Sequence, residues 1–299
     1  MLPSRHSMSQ IPMPKIRPCI FLLMTLVLSL PTTAATSPST TRETVSVEIA
    51  GYQEDVDIYR PAAGPSAGFA IIAHGFTRSR IRHRNLGRAL AEAGVTAIIP
   101  DLPNVVDLWG NGDAIVELAQ KLTGGTVDGL VIDRSRLVLI GTSAGGLATV
   151  LAAAKLPGVA GWIGLDPVDR TGSGRAAAAQ VASPAVVLLA GASSCNLLGS
   201  GRDIAGALPN LLRKTALKDA THCDFEDPTT NFCRVLCGGS SPEMQTRVRE
   251  EAVQAALDLL RITVAPPTAV PAAAGDEPTV PAPAMAVDPP PDAGGDPEP

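Results

Sequence analysis

Apolar and polar positions alternate in Val45–Ile49 and Val56–Tyr59, the pattern of early antiparallel strands with one wet face. Further along, the alternation stops. Phe69–Ala73, Val95–Ile99, Leu137–Ile140, Val159–Leu165 and Val186–Ala190 are short, unbroken apolar runs that suit parallel strands covered on both faces. A weaker strand is expected at Thr215–Asp219. Between the runs the spacing becomes helical. Leu86, Leu90 and Ala93 share a face and stop at Gly94, a residue suited to ending a helix. Ala114–Leu122 and Ala144–Leu156 follow, the second halted by Pro157 and Gly158. Ser241, Pro242 and Glu243 open a last long helix with Met244, Val248, Ala252, Ala255 and Leu259 along one stripe. This order predicts an α/β sandwich: an open, mostly parallel sheet with helices on both faces.

The two ends follow different patterns. Residues 1–18 carry Arg5, Lys15 and Arg17 and no acid, and Cys19–Leu30 is an apolar run of twelve followed by small residues. Twelve residues are too few to span a bilayer, so residues 1–35 read as a secretory signal peptide, cleaved after Ala34 or Ala35. Cys19 opens the apolar run rather than closing it, which argues against a lipid-modified cysteine. Residues 264–299 hold eleven prolines, six acids and no Lys or Arg. Such a stretch buries too little apolar surface to offset its ordering entropy and reads as a disordered acidic tail. Residues 36–263 are left as one catalytic-sized domain.

Composition narrows the field. Of the 299 residues only 3% are aromatic, which argues against a surface of stacked rings for single-stranded nucleic acid or sugar chains. The net charge of −5 argues against nucleic acid as a partner. That total is a cancellation: +3 in the leader, −2 in the body and −6 in the tail.

The strongest chemical signal is Gly141-Thr142-Ser143-Ala144-Gly145-Gly146, which follows an apolar strand and opens a helical stretch. A G-x-S-x-G turn between strand and helix holds its serine in a strained, exposed position. Side chains at Gly141 and Gly145 are expected to clash with the adjoining strand and helix. The Ala144 amide, at the helix start, lies where an oxyanion develops. A serine nucleophile needs a base. His6 leaves with the leader, His74 and His83 precede the serine, and only His222 follows it, in the chain order Ser, acid, His. The strand tip Gly191–Asn196 lacks a carboxylate, whereas the preceding strand ends Leu165-Asp166-Pro167-Val168-Asp169. Asp166 is therefore the preferred acid, with Asp169 and Asp203 as alternatives. The second oxyanion donor is expected to be the Phe76 amide in His74-Gly75-Phe76, His74 itself being structural.

These segments, with His222-Cys223-Asp224-Phe225, resemble the α/β-hydrolase superfamily over about residues 45–262, and within it the chlorophyllase-like and cutinase-like (polyester hydrolase) serine esterases. The acid in an L-D-P-V segment is similar to the chlorophyllase pattern. The resemblance implies a serine hydrolase cleaving carboxylic esters through an acyl-enzyme, without cofactor or metal. About twenty residues separate the sixth and seventh strands of this fold, too few for a lid domain. An open site is therefore expected, suited to small-molecule or polymeric esters. Phe76, Trp109, Phe225 and Phe232 lie in expected loops near the catalytic end and are candidates to line it. The rival readings are a catalytically idle binding protein of the same fold and an amidase or peptidase variant of the same triad.

Past the leader there are four cysteines, Cys195, Cys223, Cys233 and Cys237. In an exported chain, secreted or periplasmic, they are expected to form two disulfides. Of three pairings, Cys195–Cys223 with Cys233–Cys237 is favoured, because the first would tie down the histidine loop. A zinc set of His222, Cys223, Cys233 and Cys237 has irregular spacing and would sit in an oxidising compartment, so metal is not expected. The domain is expected to act as a monomer, with no stable membrane anchor after cleavage.

Overall fold

A computed structural model of the chain describes residues 40–264. The expected signal peptide and the stretch beyond Val264 lie outside the described residues. The elements, in chain order, begin with β1 (Thr41–Ile49), β2 (Tyr52–Arg60), β3 (Gly68–Ala73), α1 (Arg84–Glu92) and β4 (Val95–Pro100). Then come α2 (Leu108–Thr123), β5 (Leu137–Thr142), α3 (Ala144–Lys155), β6 (Gly161–Leu165), α4 (Ser173–Ala178) and β7 (Ala185–Leu189). The last are α5 (Gly201–Ala207), β8 (Leu211–Ala216), α6 (Asn231–Cys237) and α7 (Pro242–Val264).

One sheet contains all eight strands, in the order β1-β2-β4-β3-β5-β6-β7-β8. The hairpin of β1 and β2 is antiparallel and joins β4 antiparallel; from β4 onward every pairing is parallel. This is the mostly parallel α/β architecture expected from the pattern. The period of two divides each inner strand between two cores. Ile71 belongs to the core that holds Leu118 of α2, Leu151 of α3 and Ile204 of α5, while its neighbour Ile72 belongs to the one that holds Leu90 of α1 and Leu259 of α7. Both faces are therefore dry, which is why the inner strands read as continuous apolar runs. The β6–β7 connection holds only α4, six residues long, so no lid domain stands over the sheet. Among the described residues no helix is long and apolar enough to cross a membrane.

Differences from the expected elements have local causes. Helix α2 starts at Leu108, six residues before the expected Ala114. Asp107 caps it by accepting a hydrogen bond from the Gly110 N–H at 2.9 Å. Gly110 and Gly112 hide the helix from a propensity reading, yet Gly112 lets α2 approach α3, where a Cβ would lie 2.9 Å from that of Leu151. Strand β8 lies earlier than expected, at Leu211–Ala216, with residues alternating half-buried and exposed. As an edge strand it carries Arg213 and Lys214, which blur its apolar signal. Helices α4, α5 and α6, of six or seven residues, are too short to show a period.

Trp162 of β6 is fully buried, and its indole N–H donates to Thr149 Oγ1 of α3 at 3.0 Å. Thr149 Oγ1 in turn donates to the Gly145 carbonyl at 2.9 Å. This chain of bonds locks the first turn of α3 onto the sheet beneath Ser143. Trp162→Phe should lower unfolding stability by about 2 kcal/mol in urea titration, through the lost donor and the space left behind.

Candidate active site

The elbow between β5 and α3 puts Ser143 at φ 57° and ψ −123°, a positive-φ conformation for a residue that is not glycine. Such backbone costs about 1–3 kcal/mol and persists only where its surroundings enforce it. Here they do. The Ser143 N–H donates to Leu165 O at 3.2 Å, and its carbonyl accepts from Gly146 and Val168, each at 3.0 Å. A Cβ on Gly141 would lie 2.2 Å from Gly145 O, and one on Gly145 would lie 2.3 Å from Ala73 O. The motif's glycines thus permit the strand–helix contact that the strain requires.

His222 stands in a single 3-10 turn, His222–Phe225, and its Nε2 is 3.0 Å from Ser143 Oγ. Its Nδ1 is 2.6 Å from Asp166 Oδ2. The structure thereby brings together the three expected residues, hydroxyl to imidazole to carboxylate. Asp166 is 1% exposed and also receives the Ala190 N–H at 3.0 Å. The alternatives are engaged elsewhere. Asp169 caps the turn into α4, accepting from the N–H groups of Thr171, Gly172 and Arg175, and Asp203 is exposed in the first turn of α5.

Asn196 was not singled out by the sequence. Its amide donates to Asp166 Oδ2 at 3.1 Å and to Gly191 O at 2.8 Å, while its Oδ1 accepts from Ser193 N and Gly199 N. The buried side chain therefore has all its bonds filled and holds the carboxylate from below. The one signal available was its place in the loop after β7, at the very tip that lacks an acid.

Backbone groups complete the site. Gly75 follows β3, and a Cβ there would lie 3.2 Å from Ser143 Cβ, so the chain passes close to the nucleophile. His74 fixes this loop. Its Nδ1–H donates to Gly75 O at 2.9 Å, and its Nε2 accepts from Leu102 N at 3.0 Å. Burial pushes the His74 pKa down, in keeping with a neutral ring that accepts at Nε2. Phe76 and Ala144 flank Ser143 in a cleft of about 550 Å³. Its walls include Leu108, Trp109, Leu147, Val168 and Leu197, with Asp107 and Arg170 as its charged lining.

Two of the expected lining rings lie elsewhere. Phe225 is 2% exposed and packs into the core beside α7, because the turn that points His222 outward points Phe225 inward. Phe232 sits on α6, 65% exposed and outside the cleft wall. The favoured disulfide pairing is also corrected. Cys195 bonds Cys237 and Cys223 bonds Cys233, with Cα separations of 5.6 and 5.9 Å. Helix α6 lies between the loop after β7 and the histidine turn, and so receives one bond from each. With all four sulfurs in disulfides and His222 facing Ser143, the zinc set is not assembled. Polar ties add to the covalent ones: Asp224 accepts from Thr221 N and Ser241 N, and Arg78 pairs with Glu226 at 2.7 Å.

Beneath the histidine turn, His83 is 1% exposed, and its Nε2 has no hydrogen-bond partner. Burial first, then the neighbouring His74 and Arg82, pushes its pKa down to about 3. The unfolded chain, with an ordinary imidazole near 6.5, takes up this proton first. Stability is therefore whole above about pH 6.5 and is lost as pH falls toward 3, at up to about 1.4 kcal/mol per pH unit. His83→Gln should flatten the fall in urea midpoint between pH 7 and pH 5.

Asn196→Ala removes a charge-assisted bond worth about 1.5–3 kcal/mol and should lower kcat tenfold to a hundredfold with little change in KM, read by steady-state ester turnover.

No model of a known protein family matches the chain, and no curated protein matches it. Among solved structures it is similar to a dienelactone hydrolase from Anabaena variabilis, with 20% identity and a TM-score of 0.58. The match covers 72% of this chain and 96% of that one. The likeness is one of fold, and with the strand order described above it gives this chain the α/β-hydrolase fold.

Proposed function

We propose that the protein is an exported serine hydrolase that cleaves carboxylic esters through an acyl-enzyme. One observation carries the reading: Ser143 Oγ, the His222 ring and the Asp166 carboxylate form one chain of contacts at 3.0 and 2.6 Å, on a strained elbow that opens into a cleft. His222 Nε2 takes the hydroxyl proton as Oγ attacks the ester carbonyl. Asp166 accepts from Nδ1–H and stabilises the imidazolium. The Phe76 and Ala144 amides, beside Ser143, receive the oxyanion. His222 then returns its proton to the leaving alcohol. Water, activated by the same ring, releases the acid from the acyl-enzyme and restores Ser143.

The cleft's surroundings support an open site for bulky or aggregated esters. Phe76, Val106 and Trp109 are all more than half exposed around it, and no lid domain covers them. The acid's place after β6 in an L-D-P-V segment supports the resemblance to chlorophyllase-like and cutinase-like esterases. The structural neighbour is a dienelactone hydrolase, and a lactone is a cyclic ester. Two disulfides support export to an oxidising compartment.

Turnover of p-nitrophenyl acetate and butyrate tests the reading. Ser143→Ala and His222→Ala should each lose at least about a thousandfold in kcat, and Asp166→Asn about a thousandfold to ten-thousandfold. Asp169→Asn and Asp203→Asn should stay within a few fold of the wild type. Equal rates for wild type and Ser143→Ala would overturn the proposal.

A further inference from the structure

Helix α6 carries Cys233 and Cys237 one turn apart, on the same face. Cys233 is bonded to Cys223, the residue after His222; Cys237 is bonded to Cys195, the residue before Asn196. The two bonds are close neighbours, since the sulfurs of Cys223, Cys233 and Cys237 all lie within 4.8 Å of one another. Exposure separates them. Cys223 and Cys233 are buried, whereas Cys195 and Cys237 are half-exposed and Cys195 faces the cleft. A small thiol in solution therefore reaches the outer bond and not the inner one.

We propose that the two disulfides form a relay, in which attack by a small-molecule thiol on the outer bond is passed to the inner one beside His222. A thiolate attacks Cys195 Sγ, forming a mixed disulfide there. The Cys195–Cys237 bond breaks, and its electron pair leaves on Cys237 as a thiolate. Cys237 then attacks Cys233 Sγ. A Cys233–Cys237 bond forms, and Cys223 departs as a thiolate that takes a proton. Two disulfide bonds exist before and after, one of them now to the external thiol, so no oxidant is required. An i, i+4 pair on one helix face lies near enough for a disulfide after a small adjustment. The exchange unties both loops at once: the histidine turn loses its bond to α6, and the loop that holds Asn196 loses its own. Asp224 and Glu226 still hold the turn in place, but His222 is less firmly oriented.

Disulfide mapping of the full chain tests the relay without reference to ester chemistry, so its failure is distinct from failure of the esterase reading. In Cys195→Ser the Cys237 thiol is free beside the intact inner bond. After trapping with N-ethylmaleimide and non-reducing digestion, Cys223–Cys233 and Cys233–Cys237 peptides should both be found, with label shared between Cys237 and Cys223. Cys195→Ser/Cys237→Ser should retain Cys223–Cys233 and take no label on Cys223 or Cys233. Label on Cys237 with none on Cys223 in the single variant overturns the relay. The wild-type chain treated with glutathione gives a second test. Glutathione should be found on Cys195 together with label on Cys223, and ester turnover should fall in step with the Cys223 label. Glutathione on Cys195 with the label confined to Cys237 overturns it equally.

Discussion

The site depends on the close crossing of β5, α3 and the end of β3 at one point. Gly141 and Gly145 let the Gly145 backbone lie against both strands, where any Cβ would sit about 2.2–2.3 Å from a carbonyl oxygen. That contact leaves no room for a relaxed turn, and Ser143 is driven to φ 57°. Its strain is offset by bonds to Leu165, Gly146 and Val168, so the serine is held by the backbone of β6 as well as its own. Thr149 and Trp162 tie the same turn to the core from below. In the proposed mechanism the rigid elbow keeps the Ala144 amide beside Ser143 without rearrangement, the condition under which such a donor is most effective.

The imidazole is held differently. His222 stands on a short turn outside the sheet, anchored in the core beside α7 by the buried Phe225. Its orientation comes from three directions: the buried Asp166, the polar ties of Asp224 and Glu226, and the disulfide at Cys223. The carboxylate hangs from the end of β6, and Asn196 reaches across from the loop after β7 to grip it. The Asn196 amide and the Asp166 carboxylate meet because the ends of β6 and β7 open onto the same edge of the parallel sheet. Helix α6 is bonded to both supports, so the covalent framework and the acid–base framework meet in seven residues.

Much of this was legible because physical rules act locally on the chain. Inner strands buried on both faces must be continuously apolar, so β3 to β7 stood out, and the long stripe of α7 followed from its single buried face. Elements that bury little were harder to see: α4, α5 and α6 are too short for a period, and β8 is an edge strand with two basic residues. Ser143 and His222 were found because the motif requires its turn and the chain order leaves one histidine. Asp166 emerged from the absence of an acid after β7.

The sequence by itself determined the sheet, the elbow and the three groups that meet at it, because each leaves a mark on nearby residues: an apolar run, a glycine pair, a proline after the acid. Which sulfurs meet, which ring turns inward, and which side chain holds the acid were decided only by tertiary structure. Four cysteines admit three pairings, and spacing does not say which loops α6 will lie between. Phe225 and His222 share one turn, yet point to opposite sides of it, one into the core and one to Ser143. Asn196 lies thirty residues from Asp166, and only the parallel pairing of β6 with β7 brings their loops within hydrogen-bond reach.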